Sequence, residues 1–534
     1  MKFSICQINP SVGDLKYNYE KIVKFYNKSI SSGCDIIIFP ELSITGYPPK
    51  DLLFEKKFID KNLRYTYKIS KFSNKPIIFG FVNRKKDKLY NSAAICYNGK
   101  IQNIYNKRLL PNYDIFDEKR YFESGEDIGV YSLEINNKKI NIGLQICEDL
   151  WDESYNSKIS EEQKLNGAKI LINISASPFT DGKLSERIKL IKQKIEILKL
   201  PFIYCNMIGA QDEVIFDGCS LFFSKYGNLI KQGEYFKECT IMVDFEKNNS
   251  INLKIQKREE QIFNALSLGV SDYFYKTGYK EAVLGLSGGI DSALTAAIVT
   301  NALGARNVHG ILLPSKFSSK NSIIDAEALA NNLNINYKNI SIQKSVDVLL
   351  DSLSNEFLGL NKDITEENIQ SRIRGNILMA FSNKFGWLLL TTGNKTELAL
   401  GYCTIYGDMN GGLGVISDIS KLDVYNLSKW YNQNNEKKIP QNSINKPPSA
   451  ELSYNQIDPF DYSVISPLVD NIIENKTSLD KLITKNIDRK LINSLYEKIK
   501  NNEFKRYQSA PGLKISLKAF GIGRRFPIVN NFKG

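Results

Sequence analysis

Short apolar runs separated by polar or amphipathic stretches follow one another along the first half of this chain. They fall at 3–8, 36–39, 76–81, 92–97, 140–146, 169–175 and 202–208. Runs of this length bounded by polar residues are typical of buried strands. Segments 15–30 and 183–199 carry Ile and Leu at helical spacing among Lys and Glu, which predicts amphipathic helices. The first half is therefore predicted to be α/β.

A second series of apolar segments begins after the polar stretch 246–260. It predicts a helix at 261–276, a strand at 281–287, a helix at 292–304, a strand at 308–314, helices at 322–333 and 366–384, and a strand at 387–392. Alternation of this kind favours a doubly wound parallel sheet. Beyond it, the proline-containing segments 445–452 and 458–468 are predicted to be ordered loops. We therefore expect a first domain at 1–245, a linker at 246–260 and a second domain at 261–534.

Composition excludes several classes of protein. The 534 residues are 42% hydrophobic and 24% charged, which is enough apolar material for two cores. The longest stretch without a charged residue, between Asp291 and Arg306, has 14 residues and is too short to span a bilayer. The N-terminus reaches Pro10 and Asp14 before an apolar signal region develops. We expect a cytoplasmic protein with no membrane contact.

Cysteine and histidine usage restricts the chemistry further. The eight cysteines form no CxxC pair, and the single histidine, His309, cannot supply a Ser-His-Asp triad or a two-histidine zinc site. We expect no zinc, haem or flavin. The net charge of +13 comes from scattered basic residues, so we expect no nucleic-acid partner, although the charge favours anionic small substrates.

A glycine-rich loop with the sequence GLSGGIDS occupies 285–292, between a predicted strand and a predicted helix. Backbone N–H groups and hydroxyls in such a loop bind phosphate at the helix N-terminus. The candidate residues are Gly285, Leu286, Ser287, Gly288, Gly289, Ile290, Asp291 and Ser292. Neither a Walker A loop nor a complete GxGxxG occurs, and an acidic Asp291 beside phosphate requires a divalent cation. The alternative is an ordinary strand-to-helix turn in which the carboxylate caps the helix.

The loop resembles the SGGIDS signature of the ATP pyrophosphatase family of adenylating enzymes. In that family the loop holds the pyrophosphate that leaves when AMP is transferred. The resemblance implies an ATP site in the second domain.

Three predicted strands of the first half end in a side chain that can take part in catalysis: Glu41, Lys107 and Cys147. In an α/β sheet such strand ends meet at one edge. A thiol needs a base and a cation to act as a nucleophile, and Glu41 and Lys107 supply both without histidine. The alternative is coincidence, because most exposed Glu and Lys residues are only solvated and most buried thiols are inert.

These three segments resemble the Glu-Lys-Cys motifs of the nitrilase, or carbon–nitrogen hydrolase, family, whose fold is a four-layer α-β-β-α sandwich. The resemblance implies that Glu41 is the general base, Cys147 the nucleophile and Lys107 the stabiliser of the tetrahedral intermediate. Tyr113, Ser177 and Lys183 match positions that contact glutamine in nitrilase-like glutaminase domains. A tyrosine in a proline-containing loop is, however, also an ordinary packing residue.

The two halves in this order resemble the two-domain glutamine-dependent NAD synthetases. Segments 366–379, 390–412, 445–452 and 505–516 support the resemblance. It implies an ATP-dependent carbon–nitrogen ligase in which the first domain hydrolyses L-glutamine. The second domain would use ATP and Mg²⁺ to adenylate deamido-NAD, and channelled ammonia would displace AMP to give NAD. Free ammonium would be an alternative donor, and the chain would associate as a homo-oligomer through the synthetase domain.

The same resemblance assigns binding residues in the second domain. Thr392 is placed at ATP, and Asp291 and Glu397 are the candidates for Mg²⁺. The candidates for deamido-NAD are Asn368, Glu397, Tyr402, Cys403, Thr404, Ile405, Asp408 and Lys505. Cys403 departs from the small Ala, Ser or Thr expected in relatives.

Three other functions compete with this one. A glutamine-fed guanine-nucleotide amidotransferase normally carries a Cys-His-Glu glutaminase, for which the first half has no histidine. An RNA sulfur-transfer protein normally needs cysteines near the phosphate loop, and the second half has only Cys403. A nucleotide-binding scaffold without turnover would not need Cys147.

Overall fold

The computed structural model describes residues 1–135, 137–246, 249–474, 478–484 and 487–530. The chain divides into two compact units, Met1–Gln256 and Lys257–Gly534. Among the described helices, none combines the length and the apolar character that crossing a membrane requires.

The first unit alternates strands with a few helices. Its strands are β1 (Lys2–Gln7), β2 (Ile36–Ile38), β3 (Ile77–Lys85), β4 (Lys88–Tyr97), β5 (Lys100–Asn106), β6 (Val130–Ile135), β7 (Lys138–Ile146), β8 (Ile170–Ser175), β9 (Phe202–Asn206), β10 (Ile208–Gln211), β11 (Val214–Asp217), β12 (Leu221–Phe223), β13 (Leu229–Gln232) and β14 (Cys239–Asp244). Its helices are α1 (Leu15–Ser31), α2 (Lys56–Phe72), α3 (Ile159–Leu165) and α4 (Lys183–Leu198).

Two six-stranded sheets and a small hairpin organise these strands. The first sheet has the order β14-β1-β2-β3-β4-β5 and the second the order β13-β12-β9-β8-β7-β6, while β10 pairs with β11. Strands β1, β2 and β3 are parallel, as are β7, β8 and β9, and the outer strands are antiparallel. Each sheet thus has a parallel centre whose strands are buried on both faces, which explains their nearly continuous apolar sequences.

The sheets pack face to face between two helical layers. Because successive side chains of a strand point to opposite faces, Ile36 joins the core between the sheets, whereas Ile37 packs with side chains of α1 and α2. In the second sheet, Ile172 enters the core between the sheets and Leu171 packs with side chains of α4. The predicted α-β-β-α sandwich is confirmed.

The second unit is a parallel sheet with many helices. Its strands are β15 (Ala282–Gly285), β16 (Val308–Leu312), β17 (Asn336–Asn339), β18 (Leu388–Thr391) and β19 (Leu413–Gly414). Its helices are α5 (Arg258–Thr277), α6 (Ile290–Leu303), α7 (Lys320–Leu333), α8 (Gln343–Ser352), α9 (Ile364–Phe385), α10 (Lys395–Leu400), α11 (Lys421–Asn434), α12 (Gln441–Asn445), α13 (Tyr462–Glu474), α14 (Arg489–Asn501) and α15 (Glu503–Arg506).

The order of this sheet creates a crevice for a ligand. The strands lie in the order β17-β16-β15-β18-β19, so the chain moves outward from β15 to β17 and then returns to the other side of β15. All of the pairings are parallel. In such sheets ligands bind at the carboxyl ends of the strands where the order reverses. Here that point lies between β15 and β18, as expected for the predicted doubly wound sheet, which is confirmed.

One predicted loop is a helix. Segment 458–468 was expected to be irregular because of its prolines, but Pro467 lies inside α13. Proline removes a hydrogen bond from a helix interior and disfavours the helical conformation. The apolar side chains of Ile465, Leu468 and Val469 pack with side chains of α14, and burial of this face outweighs the local preference.

Candidate active sites

Glu41, Lys107 and Cys147 lie at the ends of β2, β5 and β7. Lys107 Nζ donates to Glu41 Oε1 at 2.8 Å, and both side chains are at most 1% exposed. The expectation that a single sheet edge carries all three residues is wrong, because β7 belongs to the second sheet. The face-to-face packing of the two sheets is what brings the third strand end to the other two.

Three hydrogen bonds orient the Glu41 carboxylate. Besides the bond from Lys107, Asn91 Nδ2 donates to Oε1 at 2.7 Å. The backbone N–H of Ala176, which follows β8 in the second sheet, donates to Oε2 at 2.8 Å. The carboxylate is therefore fixed by donors from both sheets, which is the preorganisation that a general base requires.

Cys147 begins a short 3₁₀ turn, Cys147–Leu150, in a strained backbone conformation with φ of 42°. Asp149 secures the turn, because its carboxylate accepts from the N–H groups of Ile146 and Leu109 and from the hydroxyl of Tyr105. Burial raises the pKa of the Cys147 thiol well above its usual value; the Glu41 charge raises it further, and Lys107 opposes both. The resting group is a thiol that has a carboxylate beside it to take its proton.

The structure adds Glu118, which sequence reasoning missed. Lys107 Nζ donates to Glu118 Oε1 at 2.8 Å, and the hydroxyl of Tyr47 donates to the same oxygen at 2.9 Å. Burial raises the pKa of Glu118 to about 7, even though Lys107 lowers it. Glu118 follows no strand and stands in the charged segment DEKRYF, which is typical of solvated surface, so the sequence gives no signal for it.

The predicted glutamine contacts surround the cysteine turn. The hydroxyl of Tyr113 donates to Glu148, the residue after the cysteine, at 3.0 Å. Lys183 Nζ lies 4.0 Å from the ring centroid of Trp151 and 3.0 Å from Glu186. Ser177 is buried in the loop after β8, next to the Ala176 N–H that contacts Glu41. The thiol therefore has acidic, basic and hydroxyl groups near it.

In the second unit, loop 286–289 connects β15 to α6 and is held by hydrogen bonds with its own residues and with the first turn of the helix. The Ser287 and Ser292 hydroxyl oxygens are 3.1 Å apart, and Ser287 Oγ accepts from the Gly289 N–H at 3.2 Å. Gly288 has φ of 76°, and a Cβ atom there would lie 2.1 Å from the Ser322 carbonyl oxygen. Only glycine fits this position.

The loop opens on a cavity of about 380 Å³ at the carboxyl ends of β15 and β18. Most of the predicted nucleotide-site residues line it: Gly285, Leu286, Ser287, Gly289, Ile290, Asp291, Ser292, Asn368, Thr392, Glu397, Tyr402, Cys403, Thr404, Asp408 and Lys505. Gly288 and Ile405 are not among the lining residues, because Gly288 packs against α7 and the Ile405 carbonyl accepts from Arg372. The predicted phosphate and deamido-NAD residues thus share one cavity.

Lys421 at the start of α11 joins the two predicted metal ligands. Its Nζ lies 2.5 Å from Asp291 Oδ2 and 3.0 Å from Glu397 Oε1. Asn394 Nδ2 donates to the other Asp291 oxygen at 2.8 Å. Burial raises the pKa of Glu397 to about 7, with Lys421 lowering it and Asp291 raising it. Sequence reasoning missed Lys421, which resembles any lysine in the first turn of an amphipathic helix.

Segment 401–408 forms a second wall of the cavity. Lys505 Nζ donates to the carbonyl oxygens of Gly401 and Cys403 at 2.7 and 2.8 Å. The Thr404 hydroxyl donates to Asn368 Oδ1 at 2.9 Å, and the Thr404 N–H donates to Asp408 Oδ1 at 2.6 Å. These bonds fix the wall to α9 and to α15.

Two further cations that the sequence did not indicate, Arg374 and Lys446, also line the cavity. Burial lowers the pKa of the Arg374 guanidinium to about 10, which indicates that its charge is only partly compensated. Together with Lys421 and Lys505, these residues give the cavity four cationic side chains, beside six acidic ones, Asp291, Glu367, Glu397, Asp408, Glu451 and Asp458. The cationic side chains are suited to phosphate groups, and the carboxylates to a bound cation.

Comparison with known proteins places both units in established families. Residues 2–254 match the Carbon-nitrogen hydrolase family and residues 262–509 match the NAD synthase family. The glutamine-dependent NAD(+) synthetase of Thermotoga maritima is 40% identical, with 100% of this chain and 99% of the relative covered. The enzyme of that name from Synechocystis sp. is 39% identical over 99% of this chain and 98% of its own.

The chain belongs to the glutamine-dependent NAD(+) synthetase family. A solved structure of the family, the Acinetobacter baumannii enzyme in complex with adenosine diphosphate, is 34% identical and has a TM-score of 0.80. That likeness covers 99% of this chain and 98% of the other. A second, from Cytophaga hutchinsonii, is 22% identical with a TM-score of 0.85 and shows the shared fold. The predicted family and fold are confirmed.

We expect Glu118→Gln to slow amide hydrolysis by the first unit by about 10-fold or more, because Lys107 then has one charged partner. The Glu118 pKa of about 7 means that its charge is lost as the pH falls through 7. Wild-type hydrolysis should therefore decline below about pH 7, and the variant should show a weaker dependence over that range. The measurement is ammonia release from glutamine across pH.

The matched control is Glu123→Gln, because Glu123 is a neighbouring glutamate with a 52% exposed side chain. This variant should leave both the rate of ammonia release and its pH profile unchanged. An unaltered profile in Glu118→Gln would show that Glu118 does not set the charge on Lys107.

Proposed function

We propose that the two sites make NAD⁺ from deamido-NAD, with glutamine as the nitrogen donor and ATP as the source of activation. The single observation that carries the proposal is the presence, in one chain, of a buried Glu-Lys-Cys cluster and a glycine-loop cavity lined by both cations and carboxylates. The reaction consumes deamido-NAD, ATP, glutamine and water and yields NAD⁺, AMP, diphosphate and glutamate. The chain is an ATP-dependent ligase whose amide nitrogen comes from glutamine.

The first unit performs the amide hydrolysis. Glu41, held by three donors, takes the proton of Cys147 as the sulfur attacks the glutamine amide carbonyl. Lys107 stabilises the oxyanion of the tetrahedral intermediate, because one of its three N–H donors remains beyond those given to Glu41 and Glu118. The protonated Glu41 then donates to the leaving nitrogen, ammonia departs, and water hydrolyses the thioester to glutamate.

Substrate selection in this unit depends on groups around the cysteine turn. Glu148, held by the hydroxyls of Tyr113 and Tyr155 at 3.0 Å, is the negative group suited to the α-ammonium of glutamine. Lys183 and Ser177 are suited to its α-carboxylate. A charged amino acid thereby meets complementary charges on both sides.

The second unit activates the nicotinate carboxylate of deamido-NAD. The nicotinate carboxylate of deamido-NAD attacks the α-phosphorus of ATP, diphosphate leaves, and ammonia displaces AMP from the resulting mixed anhydride. Activation is needed because a carboxylate is a poor electrophile at neutral pH. We place the diphosphate at Ser287, Gly289 and Ser292, and we assign Thr392, which lines the same cavity, to ATP. Channelled ammonia avoids protonation by water, and added ammonium can replace glutamine.

Asp291 and Glu397 fit a magnesium ion. Both carboxylates already contact one ammonium group, that of Lys421, so a compact cation is compatible with their spacing. Mg²⁺ characteristically takes one or two carboxylates together with phosphate oxygens, and it would neutralise charge on the phosphates. Among the described residues no cluster of three or more acidic, histidine or cysteine ligands occurs.

Recognition of deamido-NAD is assigned to the wall formed by segment 401–408 and by α9. Asn368 and Thr404 form one hydrogen-bonded pair on this wall, and Asp408 lines the cavity beside them. The assignment also includes three residues that line the cavity, Tyr402, Cys403 and Lys505. It includes Ile405 as well, which does not line the cavity and whose carbonyl accepts from Arg372. Arg374 supplies a guanidinium for a phosphate of either nucleotide.

Cys147→Ala should abolish NAD⁺ formation from glutamine and leave formation from ammonium intact, because the second unit keeps its cavity. The experiment supplies wild type and variant with deamido-NAD, ATP and Mg²⁺ and either nitrogen source, and measures NAD⁺ and AMP. Cys219→Ala is a matched control, since Cys219 is a buried thiol of the same unit. Failure of wild type to form NAD⁺ from either source would reject the proposal and favour a guanine-nucleotide or RNA substrate.

Lys421→Gln should lower NAD⁺ formation from ammonium by about 100-fold, because two carboxylates and several phosphates lose a preorganised cation. Lys429→Gln, on the exposed face of the same helix, should have no effect.

Removal of divalent cations with a chelator should stop the wild-type reaction, and Mg²⁺ should restore it. Full activity in the presence of chelator would contradict the assignment of Asp291 and Glu397.

We also propose that the chain forms a homo-oligomer through the second unit. The support is a group of exposed apolar side chains on and after α8, among them Val348, Leu358 and Leu360, which are 68%, 84% and 72% exposed. Apolar groups in such number are unfavourable in water unless another surface covers them. Sedimentation equilibrium should give a mass above the 60.7 kDa of one chain, and a monomeric mass would oppose the proposal.

A further inference from the structure

Arg187 is among the largest fully buried side chains in the structure, and its guanidinium has several partners. Nη1 donates to both oxygens of Asp217 at 2.8 Å. Nη2 donates to the carbonyl oxygens of Ser177 and Pro178 at 2.9 and 2.8 Å, and Nε donates to Ser177 Oγ at 3.2 Å. All five N–H donors of a guanidinium are thus used.

These bonds connect three parts of the first unit. Arg187 belongs to α4, Asp217 ends β11, and Ser177 and Pro178 form the loop after β8. Asn206 reinforces the same loop by accepting from the Ser177 N–H at 2.9 Å. A single buried ion pair therefore sets the position of the loop that carries Ser177.

The bond from Nε determines what Ser177 can offer a ligand. A serine hydroxyl has one proton and two lone pairs, and Arg187 takes up a lone pair. The hydroxyl proton is left for an acceptor. The neighbouring phenol of Tyr204 is a weaker acceptor than a carboxylate, so an incoming carboxylate is the preferred partner.

The surroundings of Ser177 favour an anion as well. Lys183 lies one turn before Arg187 on α4, and residues four apart lie on the same side of a helix. Lys183 is at the first position of α4, and its ammonium lies 3.0 Å from Glu186 on the same helix. A carboxylate beside Ser177 would therefore also meet the ammonium of Lys183.

We propose that Arg187 is a positioning residue that directs the Ser177 hydroxyl to the α-carboxylate of glutamine and so contributes to the choice of substrate. The inference rests on the proposed glutaminase function and extends it to a residue that does not touch the substrate. Asp217 acts with Arg187, because a buried guanidinium without its carboxylate partner is strongly disfavoured.

The same geometry also connects this loop to the general base. The Ala176 N–H, next to Ser177, donates to Glu41, so displacement of this loop would also disturb the general base. Loss of the base impairs hydrolysis of any amide. Loss of a carboxylate contact impairs only substrates that have the carboxylate, and this difference separates the two roles.

The test compares L-glutamine with L-glutaminamide, in which a neutral amide replaces the α-carboxylate and the side-chain amide is unchanged. Wild type, Arg187→Lys and Ser177→Ala are assayed for side-chain amide hydrolysis. Arg187→Lys should lower kcat/KM for glutamine about 10-fold, mainly through KM, and leave glutaminamide within about 2-fold. Ser177→Ala should reproduce this pattern, and the double variant should be no worse than Ser177→Ala alone.

Lys189→Ala removes a positive charge from the exposed side of α4 and should change neither substrate. If Arg187→Lys does not fold, Asp217→Glu takes its place, because it keeps the buried charge pair and displaces the guanidinium of Arg187. Equal losses on both substrates, or no loss on glutamine, would overturn the inference. Failure of wild type to hydrolyse either amide would instead reject the proposed glutaminase function.

Discussion

A buried lysine ammonium shared by two carboxylates lies at the centre of each unit. Lys107 contacts Glu41 and Glu118, and Lys421 contacts Asp291 and Glu397. A charge inside a protein is tolerated only when it is paired and hydrogen-bonded, so each lysine requires its carboxylates and each pair of carboxylates requires its lysine. Removal of any member leaves an uncompensated charge where the chemistry occurs.

In each unit the arrangement of the sheets brings the lysine and its carboxylates together. In the first unit the two sheets must pack face to face, because Glu41 and Lys107 come from one sheet and Cys147 and Ala176 from the other. In the second unit the reversal of strand order between β15 and β18 opens the cavity where the glycine loop begins. Fold and site are thus coupled through a small number of polar contacts across large apolar cores.

The sequence was informative where a functional residue follows a regular element directly. Glu41 and Cys147 each follow an apolar run that ends abruptly, Lys107 follows a predicted strand, and the loop at 285–292 is glycine-rich between a strand and a helix. Glu118 and Lys421 gave no such signal, because tertiary contacts with distant residues, and not local pattern, give them their role. Strand β6 was also missed, since the exposed residues Ser132 and Glu134 alternate with its buried residues and interrupt the apolar run.

Helix α13 is a case in which the local sequence predicts a loop and tertiary packing produces a helix. Its proline and polar start suggest a loop, yet its apolar face is buried against α14, and burial of several large side chains outweighs one lost hydrogen bond. Local preference therefore predicted the well-bounded α/β core and failed where packing between helices decides the conformation.

The scarcity of histidine explains why both sites depend on buried carboxylates. His309 stacks on Trp387 at 3.6 Å, pairs with Glu281 and is not among the residues that line the cavity. Imidazole normally provides the group that titrates near neutral pH. Here burial raises the pKa of Glu118 and of Glu397 to about 7, and each shares a lysine with a second carboxylate. Burial thus makes two ordinary glutamates titrate near neutral pH in a chain with one histidine.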